Sequence, residues 1–255
     1  MIRRAVIVGS PGSGAPGDRF LPGVQLDLAS YESFLRSDNG GAWEASEITV
    51  LHKPTRSDVL AALAVARAAR PEYSVTIFSG HGWHRNKSSE IFIRADEPPL
   101  LAVQDFCVGL GKELSIFDAC QGLAPEQRKM AEDHREHVGA GRPPDPYRAA
   151  CRALYDSQIR FGPDMRAIMW ACSVEENALE IGQGGLFTVS VLGHARDWAH
   201  SVRSVNQFRA TTSMYLDLGD AFAPAKKAVL EATLRRQTPE LWDPKSRYGF
   251  PFAVA

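Results

Sequence analysis

Short apolar runs alternate with amphipathic helical patterns, and this alternation most constrains the fold of the 255-residue chain. The runs are continuously apolar, which is typical of strands buried on both faces of a mostly parallel sheet. In chain order they lie at residues 5–8, 48–51, 75–78, 114–117, 167–170 and 250–254. Helical patterns lie between them, at residues 24–35, 59–69, 186–198 and 225–236. The sequence therefore predicts an α/β fold, a mostly parallel six-stranded sheet flanked by helices on both faces.

Composition excludes several classes of protein. The 29 Lys and Arg residues against 30 Asp and Glu residues exclude a protein that binds nucleic acid through overall charge. Whole-chain disorder is excluded by 44% hydrophobic and 23% charged residues. No run approaches the ~18 apolar residues of a membrane span, and the start of the chain resembles a strand more than a signal peptide. Four cysteines are too few for a disulfide framework, so we expect a cytoplasmic protein.

Two of the predicted strands end in unusual motifs. The third runs into Ser79-Gly80-His81-Gly82, and the fourth runs into Asp118-Ala119-Cys120-Gln121-Gly122. Catalytic groups of parallel α/β sheets lie at the carboxyl ends of the strands, where both motifs stand. A thiol beside an imidazole forms a pair of nucleophile and base. A lone cysteine or histidine is more often structural, but the two motifs together favour catalysis.

These motifs resemble those of the caspase-like clan of cysteine peptidases, in particular its prokaryotic and metacaspase-like branch. Three weaker similarities extend the resemblance over most of the chain. They are Leu21-Pro22-Gly23-Val24-Gln25-Leu26-Asp27, similar to the first loop and helix of the family, Gly185-Leu186-Phe187-Thr188, and Gln237-Thr238-Pro239-Glu240. The resemblance implies a caspase-like fold and a cysteine-type endopeptidase.

The resemblance also implies a role for each matching residue. Cys120 would be the nucleophile and His81 the base, with the backbone N–H groups of Cys120 and Gly82 as the oxyanion hole. In metacaspases the pocket for the P1 residue is lined by residues that match Asp27, Ser79 and Asp118. We therefore expect cleavage after Arg or Lys and not after Asp. The alternative is that Asp118 is a buried carboxylate that only holds its loop.

We expect one caspase-like domain over residues 1–255, with a large-subunit-like part (1–120), an inserted linker (121–148) and a small-subunit-like part (149–255). The linker is polar and contains five basic residues that an Arg/Lys-specific peptidase would cut: Arg128, Lys129, Arg135, Arg142 and Arg148. The hypothesis is a zymogen that the linker keeps inactive until it is cleaved. The alternative is a solvated loop without a regulatory role.

Other interpretations remain beside the peptidase. The glycine-rich segment after the first strand lacks the Gly-Lys-Ser/Thr ending of a phosphate loop. The chain is alternatively an inactive caspase-like interaction module, or a peptidase with another P1 preference. No metal or cofactor is needed for the chemistry, and a calcium requirement stays open. Expected partners are substrates with a basic P1 residue and an upstream activating protease, without nucleic acid or membrane. The resemblance suggests bacterial stress response, cell death or antiphage defence.

Overall fold

A six-stranded sheet forms the centre of the molecule. The computed structural model describes residues 1–15, 19–85, 88–93, 100–109, 111–120, 146–206, 214–242 and 250–255. Across the sheet the strands are β12 (Glu240–Trp242), β8 (Arg166–Trp170), β7 (Lys112–Ala119), β3 (Tyr73–Gly80), β1 (Arg3–Ser10) and β2 (Ile48–His52). Neighbouring strands are parallel except for β12, which runs antiparallel to β8 at the edge. The predicted α/β class and mostly parallel six-stranded sheet are confirmed.

Helices and smaller sheets surround the central sheet. The helices are α1 (Gly23–Arg36), α2 (Arg56–Ala68), α3 (Pro146–Phe161), α4 (Leu186–Asn206) and α5 (Leu218–Ala232), with a 3₁₀ turn at Ala45–Glu47. Strands β4 (Gly82–Arg85), β5 (Ser88–Phe92) and β6 (Leu100–Ala102) form an antiparallel sheet, and β9 (Glu180–Ile181) pairs with β10 (Gly184–Gly185) in a hairpin. No helix in the described ranges is long and apolar enough to cross a membrane.

Both faces of the central sheet are buried. On β1, Ala5 and Ile7 belong to the apolar cluster that contains residues of α1, α3, α4 and α5. Val6 and Val8, which point to the other face, belong to the cluster that contains residues of α2 and the small antiparallel sheet. Successive strand residues face opposite sides, so burial on both sides requires a continuous apolar run.

The prediction for residues 250–254 was wrong about their place. The strand β13 (Pro251–Val254) pairs antiparallel with β11 (Tyr215–Asp217) outside the central sheet, and β12 takes the sixth position. Phe252 stacks on Phe34 of α1 with ring centroids 5.3 Å apart. A short apolar run indicates burial, but its composition does not specify its partner strand.

Helix bounds differ from the prediction at several ends. Helix α2 is capped by Thr55 and therefore begins before the predicted residue 59. The Asp58 N–H donates to Thr55 Oγ1 at 3.1 Å, and Thr55 N–H donates to Asp58 Oδ2 at 2.8 Å, which is a capping box. Helix α4 extends beyond residue 198, and α5 begins before Pro224, which lies inside it.

Helix α3 was not predicted, and it shortens the expected 121–148 linker. Arg148 lies in the first turns of α3, where its guanidinium donates to the Arg36 carbonyl at 2.6 Å and the Trp43 carbonyl at 3.0 Å. Residues 121–145, with the candidate cleavage sites Arg128, Lys129, Arg135 and Arg142, lie outside the described residues. Arg148, the last of the five candidate cleavage sites, therefore belongs to a helix and not to a linker.

Candidate active site

The two sequence motifs meet at the carboxyl edge of the central sheet. Strands β3 and β7 pair in parallel, with Ser79 opposite Asp118 and Gly80 opposite Ala119. His81 and Cys120 directly follow these pairs. The backbones of the two motifs are in contact, because a methyl group at Gly82 would lie only 3.0 Å from the Cys120 carbonyl oxygen. The sheet thus places His81 and Cys120, which the sequence predicts as a pair, at neighbouring strand ends.

The ring of His81 is oriented by the backbone of the loop before α1. Its Nε2 lies 2.5 Å from the carbonyl oxygen of Arg19. A carbonyl oxygen only accepts hydrogen bonds, so Nε2 carries the hydrogen and Nδ1 holds a lone pair in the neutral ring. Neutral imidazole in this tautomer presents a base at Nδ1.

The Cys120 thiol is partly buried beside the segment that follows β8. Its Sγ lies 3.7 Å from the Ala178 carbonyl oxygen, to which it donates. Burial is the main reason that the pKa of this thiol is raised, with a smaller contribution from the negative charge of Asp118. The thiol is therefore protonated at rest near neutral pH and needs a base to become a nucleophile.

Asp27 lies in the first turns of α1 and bonds to the strand end that leads to His81. Its side chain is 2% exposed, and Oδ2 accepts a hydrogen bond of 2.6 Å from Ser79 Oγ. The backbone N–H of Gly185, on the β9–β10 hairpin, donates to Oδ1 at 2.8 Å. The structure thus brings together Asp27 and Ser79, two residues expected to line the P1 pocket.

Asp118 faces the same hairpin from strand β7. It is 6% exposed, and its Oδ2 accepts hydrogen bonds from the hydroxyl of Thr188 at 2.6 Å and from the N–H of Thr188 at 3.1 Å. A side chain at Gly185 would overlap Asp118, and a side chain at Gly184 would overlap Asp27. These two glycines therefore let the hairpin backbone approach both carboxylates.

The two carboxyl groups hold their protons more tightly than free aspartates. Burial raises the pKa of Asp118 to about 6, against the hydrogen bonds from Thr188 that lower it. Burial, and then the charge of Asp118, hold the pKa of Asp27 well above its usual range. Two neighbouring buried carboxyl groups resist joint ionisation unless a cation joins them.

Glu180 is a third carboxylate at this position, and the sequence did not point to it. It lies on β9 directly opposite Gly185, and its Oε1 accepts a hydrogen bond from the N–H of Gly23 at the start of α1. Its negative charge contributes to the raised pKa values of Asp118 and Asp27. A single Glu in a polar stretch carries no motif, so only the hairpin geometry reveals it.

Arg19 was also missed, for a different reason. Its contribution to the site is a backbone carbonyl, which leaves no signature in residue type. Burial raises the pKa of Glu180, and the positive charge of the Arg19 side chain partly opposes this rise. The loop before α1 thus carries both the orienting group of His81 and a cation near the third carboxylate.

Within the ranges that the structure describes, no group of three or more His, Cys, Asp and Glu side chains is placed to hold a metal ion. The carboxylates Asp27 and Asp118 are bonded instead to hydroxyl and backbone N–H donors.

Comparison with family models and curated proteins assigns no family to this chain. No protein-family model matches the sequence, and a search of curated proteins finds no significant match.

Proposed function

We propose that this chain is a cysteine endopeptidase that cleaves proteins after Arg or Lys. The observation that carries the proposal is the position of His81 and Cys120 directly after the paired ends of β3 and β7, the strands that also carry Ser79 and Asp118. The buried carboxyl groups of Asp27 and Asp118 lie at the same edge of the sheet. The first pair supplies a nucleophile and its base, and the second supplies a site for a cation. The resemblance of both motifs to caspases and metacaspases supports the same activity and a caspase-like fold.

The dyad would act in two stages. In the first, Nδ1 of His81 takes the thiol proton of Cys120 while Sγ bonds to the scissile carbonyl carbon. The imidazolium then gives that proton to the leaving amine, and the C–N bond breaks to leave an acyl-enzyme. In the second stage Nδ1 of His81 takes a proton from a water molecule while the water oxygen bonds to the acyl carbon. The C–S bond then breaks, the acid leaves, and the imidazolium returns the proton to Cys120 Sγ. The Arg19 carbonyl accepts from Nε2–H in both the neutral and the protonated ring and keeps its orientation.

Charge on the tetrahedral intermediate needs donors close to Cys120. The backbone N–H groups of Cys120 and Gly82 are the candidates, because the two residues lie against each other. A backbone donor of this kind is worth about 3–4 kcal/mol of activation free energy.

The carboxylates would select the P1 side chain. A guanidinium or ammonium group near Asp27 and Asp118 would let both ionise and would pair with their oxygens, with Ser79 beside them. Glu180 adds a third negative charge. An acidic P1 side chain would instead meet like charges, which cost several kcal/mol at a desolvated site.

Peptides that differ only at P1 test the proposal. Arg and Lys peptides should be hydrolysed by the wild type, with Asp and Gln peptides turned over at least ~10²-fold more slowly. Cys120→Ala is the control and should lose activity by ~10³-fold or more. Turnover of the Asp peptide without turnover of the Arg peptide would refute the specificity. Hydrolysis that survives in Cys120→Ala would refute Cys120 as the nucleophile. A wild type without any peptidase activity would refute the proposed function and favour the inactive interaction module.

The zymogen hypothesis is part of the proposal. Cleavage after Arg128, Lys129, Arg135 or Arg142, by this protein or by an upstream protease, would be the activating step. Its support is the presence of these four basic residues in the 121–145 segment, which joins Cys120 to α3.

A further inference from the structure

The Gln237-Thr238-Pro239-Glu240 segment has no role in the proposed reaction, although its sequence is similar to a family motif. It follows α5 and leads into β12. Its contacts converge on residues 171–179, the loop that runs from the end of β8 to the β9–β10 hairpin. We call residues 171–179 the β8–β9 loop.

Gln237 joins the two ends of the β8–β9 loop. Its side chain is fully buried. Nε2 donates to the Ala171 carbonyl at 2.9 Å, and Oε1 accepts from the Leu179 N–H at 2.9 Å. Its own backbone N–H donates to Thr233 Oγ1 at 3.2 Å, which ties it to the end of α5. One amide therefore fixes the first and last residues of the loop.

Two further residues of the segment hold the middle of the loop. Thr238 donates to Glu176 through its N–H at 2.5 Å and through its hydroxyl at 2.9 Å. Ser173 Oγ lies 2.6 Å from Glu240 Oε1 and 3.0 Å from the Thr238 carbonyl oxygen. Every polar side chain of the segment thus bonds to the β8–β9 loop.

The β8–β9 loop in turn contacts the nucleophile. The Ala178 carbonyl accepts from Cys120 Sγ at 3.7 Å, one residue before the Leu179 N–H that Gln237 holds. At the other end of the loop, the buried Cys172 thiol donates to the Ala119 carbonyl at 3.4 Å. The loop therefore encloses the Cys120 thiol, and the Gln237 amide fixes the loop.

We propose that Gln237 is a positioning residue for Cys120, because it holds the β8–β9 loop against the thiol. The catalytic consequence rests on the proposed function, whereas the enclosure of the thiol does not. Burial is the main reason that the pKa of Cys120 is raised. Releasing the loop would hydrate the thiol, make it easier to ionise and misplace it for attack.

Gln237→Met tests this, because methionine nearly keeps the volume and removes both hydrogen bonds. The rate of Cys120 alkylation by iodoacetamide is measured against pH by mass spectrometry, together with kcat/KM for a P1-Arg peptide. The pH midpoint of alkylation should fall by ~0.5 or more. At the same time kcat/KM should fall ~10-fold or more. Gln237→Met should thus combine faster alkylation of Cys120 at neutral pH with a lower kcat/KM. General destabilisation of the protein would not shift the alkylation midpoint in this way.

Thr76→Val is the matched control. It removes the buried hydrogen bond between Thr76 and Ser115 in the central sheet and leaves every hydrogen bond of Gln237 in place. It should lower Tm without moving the alkylation midpoint. A folded Gln237→Met protein whose alkylation midpoint equals that of the wild type would overturn the proposal. If the wild type hydrolyses no P1-Arg or P1-Lys peptide, the proposed function fails, and the alkylation midpoint still decides the positioning role.

Discussion

Asp27 and Asp118 are buried together, and neither forms an ion pair with a basic side chain in the ranges that the structure describes. Burying a carboxylate without a cation costs free energy, so each group holds its proton to a higher pH than usual. A P1 cation would remove that cost only in the complex. The carboxyl pair would thus lower the stability of the free protein and raise its affinity for a cationic side chain.

Asp27→Asn should therefore stabilise the protein and impair its activity. The amide keeps partners for Ser79 and Gly185 and removes the charge. Above an unfolded pKa near 3.8, the folded wild type keeps a proton that the unfolded chain has released, so its free energy of unfolding falls as pH rises. The Tm advantage of the variant should be absent near pH 4 and should reach ~2–6 °C at pH 8. Its kcat/KM for P1-Arg should fall at least ~30-fold.

Asp197→Asn makes the same charge change on an exposed position of α4 and is the control. It should leave Tm and kcat/KM unchanged within error. Lower stability of Asp27→Asn at pH 8, measured by calorimetry or circular dichroism, would contradict the account of the carboxyl pair.

Binding of a cation to the pocket should depend on pH through the same groups. Benzamidine, an amidinium that mimics the P1 guanidinium, is titrated into Cys120→Ala by calorimetry so that the dyad does not complicate the result. Affinity should rise as pH rises through about 6, where Asp118 loses its proton. Glu180→Gln should move this midpoint to lower pH, because the Glu180 charge helps to raise the pKa of Asp118.

The exposed Glu175, changed to Gln, is the control for net charge and should leave the midpoint in place. Affinity that stays constant between pH 5 and 8 would speak against a pocket made of these carboxylates.

The β9–β10 hairpin lies against Asp27 and Asp118 through Gly184 and Gly185 and would form one wall of the proposed P1 pocket. Gly185→Ala should lower kcat/KM for P1-Arg ~10²-fold or more, because its methyl group would displace Asp118. Gly193→Ala on α4 is the control, since nothing lies within 4 Å of its new methyl group. That change should raise Tm slightly, as alanine is favoured over glycine in helices by about 0.5–1 kcal/mol. Equal activity of both variants would exclude the hairpin from the pocket.

The strands were predictable because burial on both faces imposes continuous apolar runs, as in β3 and β7. The short edge strand β12 was not, since three residues with an exposed Trp242 resemble a loop. Helix α3 was obscured by the prolines just before it, which look like the end of a linker. Pro146 is in fact its first residue, a position that suits proline.

The residues of the candidate site likewise fall into those that the sequence predicted and those that it did not. His81, Cys120, Ser79 and Asp118 stand at strand ends, where sequence order fixes spatial neighbours through the sheet register. Asp27 was expected from the resemblance alone. Glu180 contacts Gly23, far away in sequence, and such a contact leaves no local pattern. The segment of Gln237 was noted for its resemblance, which did not indicate the contacts of Gln237 with the β8–β9 loop.

Cleavage between Cys120 and α3 should leave the two parts of the chain associated. Strand β7 before the linker pairs with β8 after it, and Arg152 of α3 forms an ion pair with Glu47 at 2.6 Å. We expect incubation to cut the chain within residues 121–145, with the two pieces eluting together on gel filtration and with higher activity. Replacing Arg128, Lys129, Arg135 and Arg142 by Gln should leave an uncut chain of low activity. Full activity of that uncut variant would refute the zymogen hypothesis.

Arg148→Gln serves as the control for that series, because Arg148 lies in α3 and contacts the Arg36 and Trp43 carbonyls. It should cost stability but leave cleavage at the other four sites unchanged.

The most direct test of the central proposal is covalent labelling with an arginyl chloromethyl ketone, applied before and after limited trypsin digestion and mapped by mass spectrometry. The predicted result is one adduct on Cys120 Sγ, blocked by a leupeptin-like arginyl aldehyde and absent from Cys120→Ser. The matched aspartyl reagent should not label. An adduct on another residue, or equal labelling by the aspartyl reagent, would contradict an Arg-directed peptidase that uses Cys120.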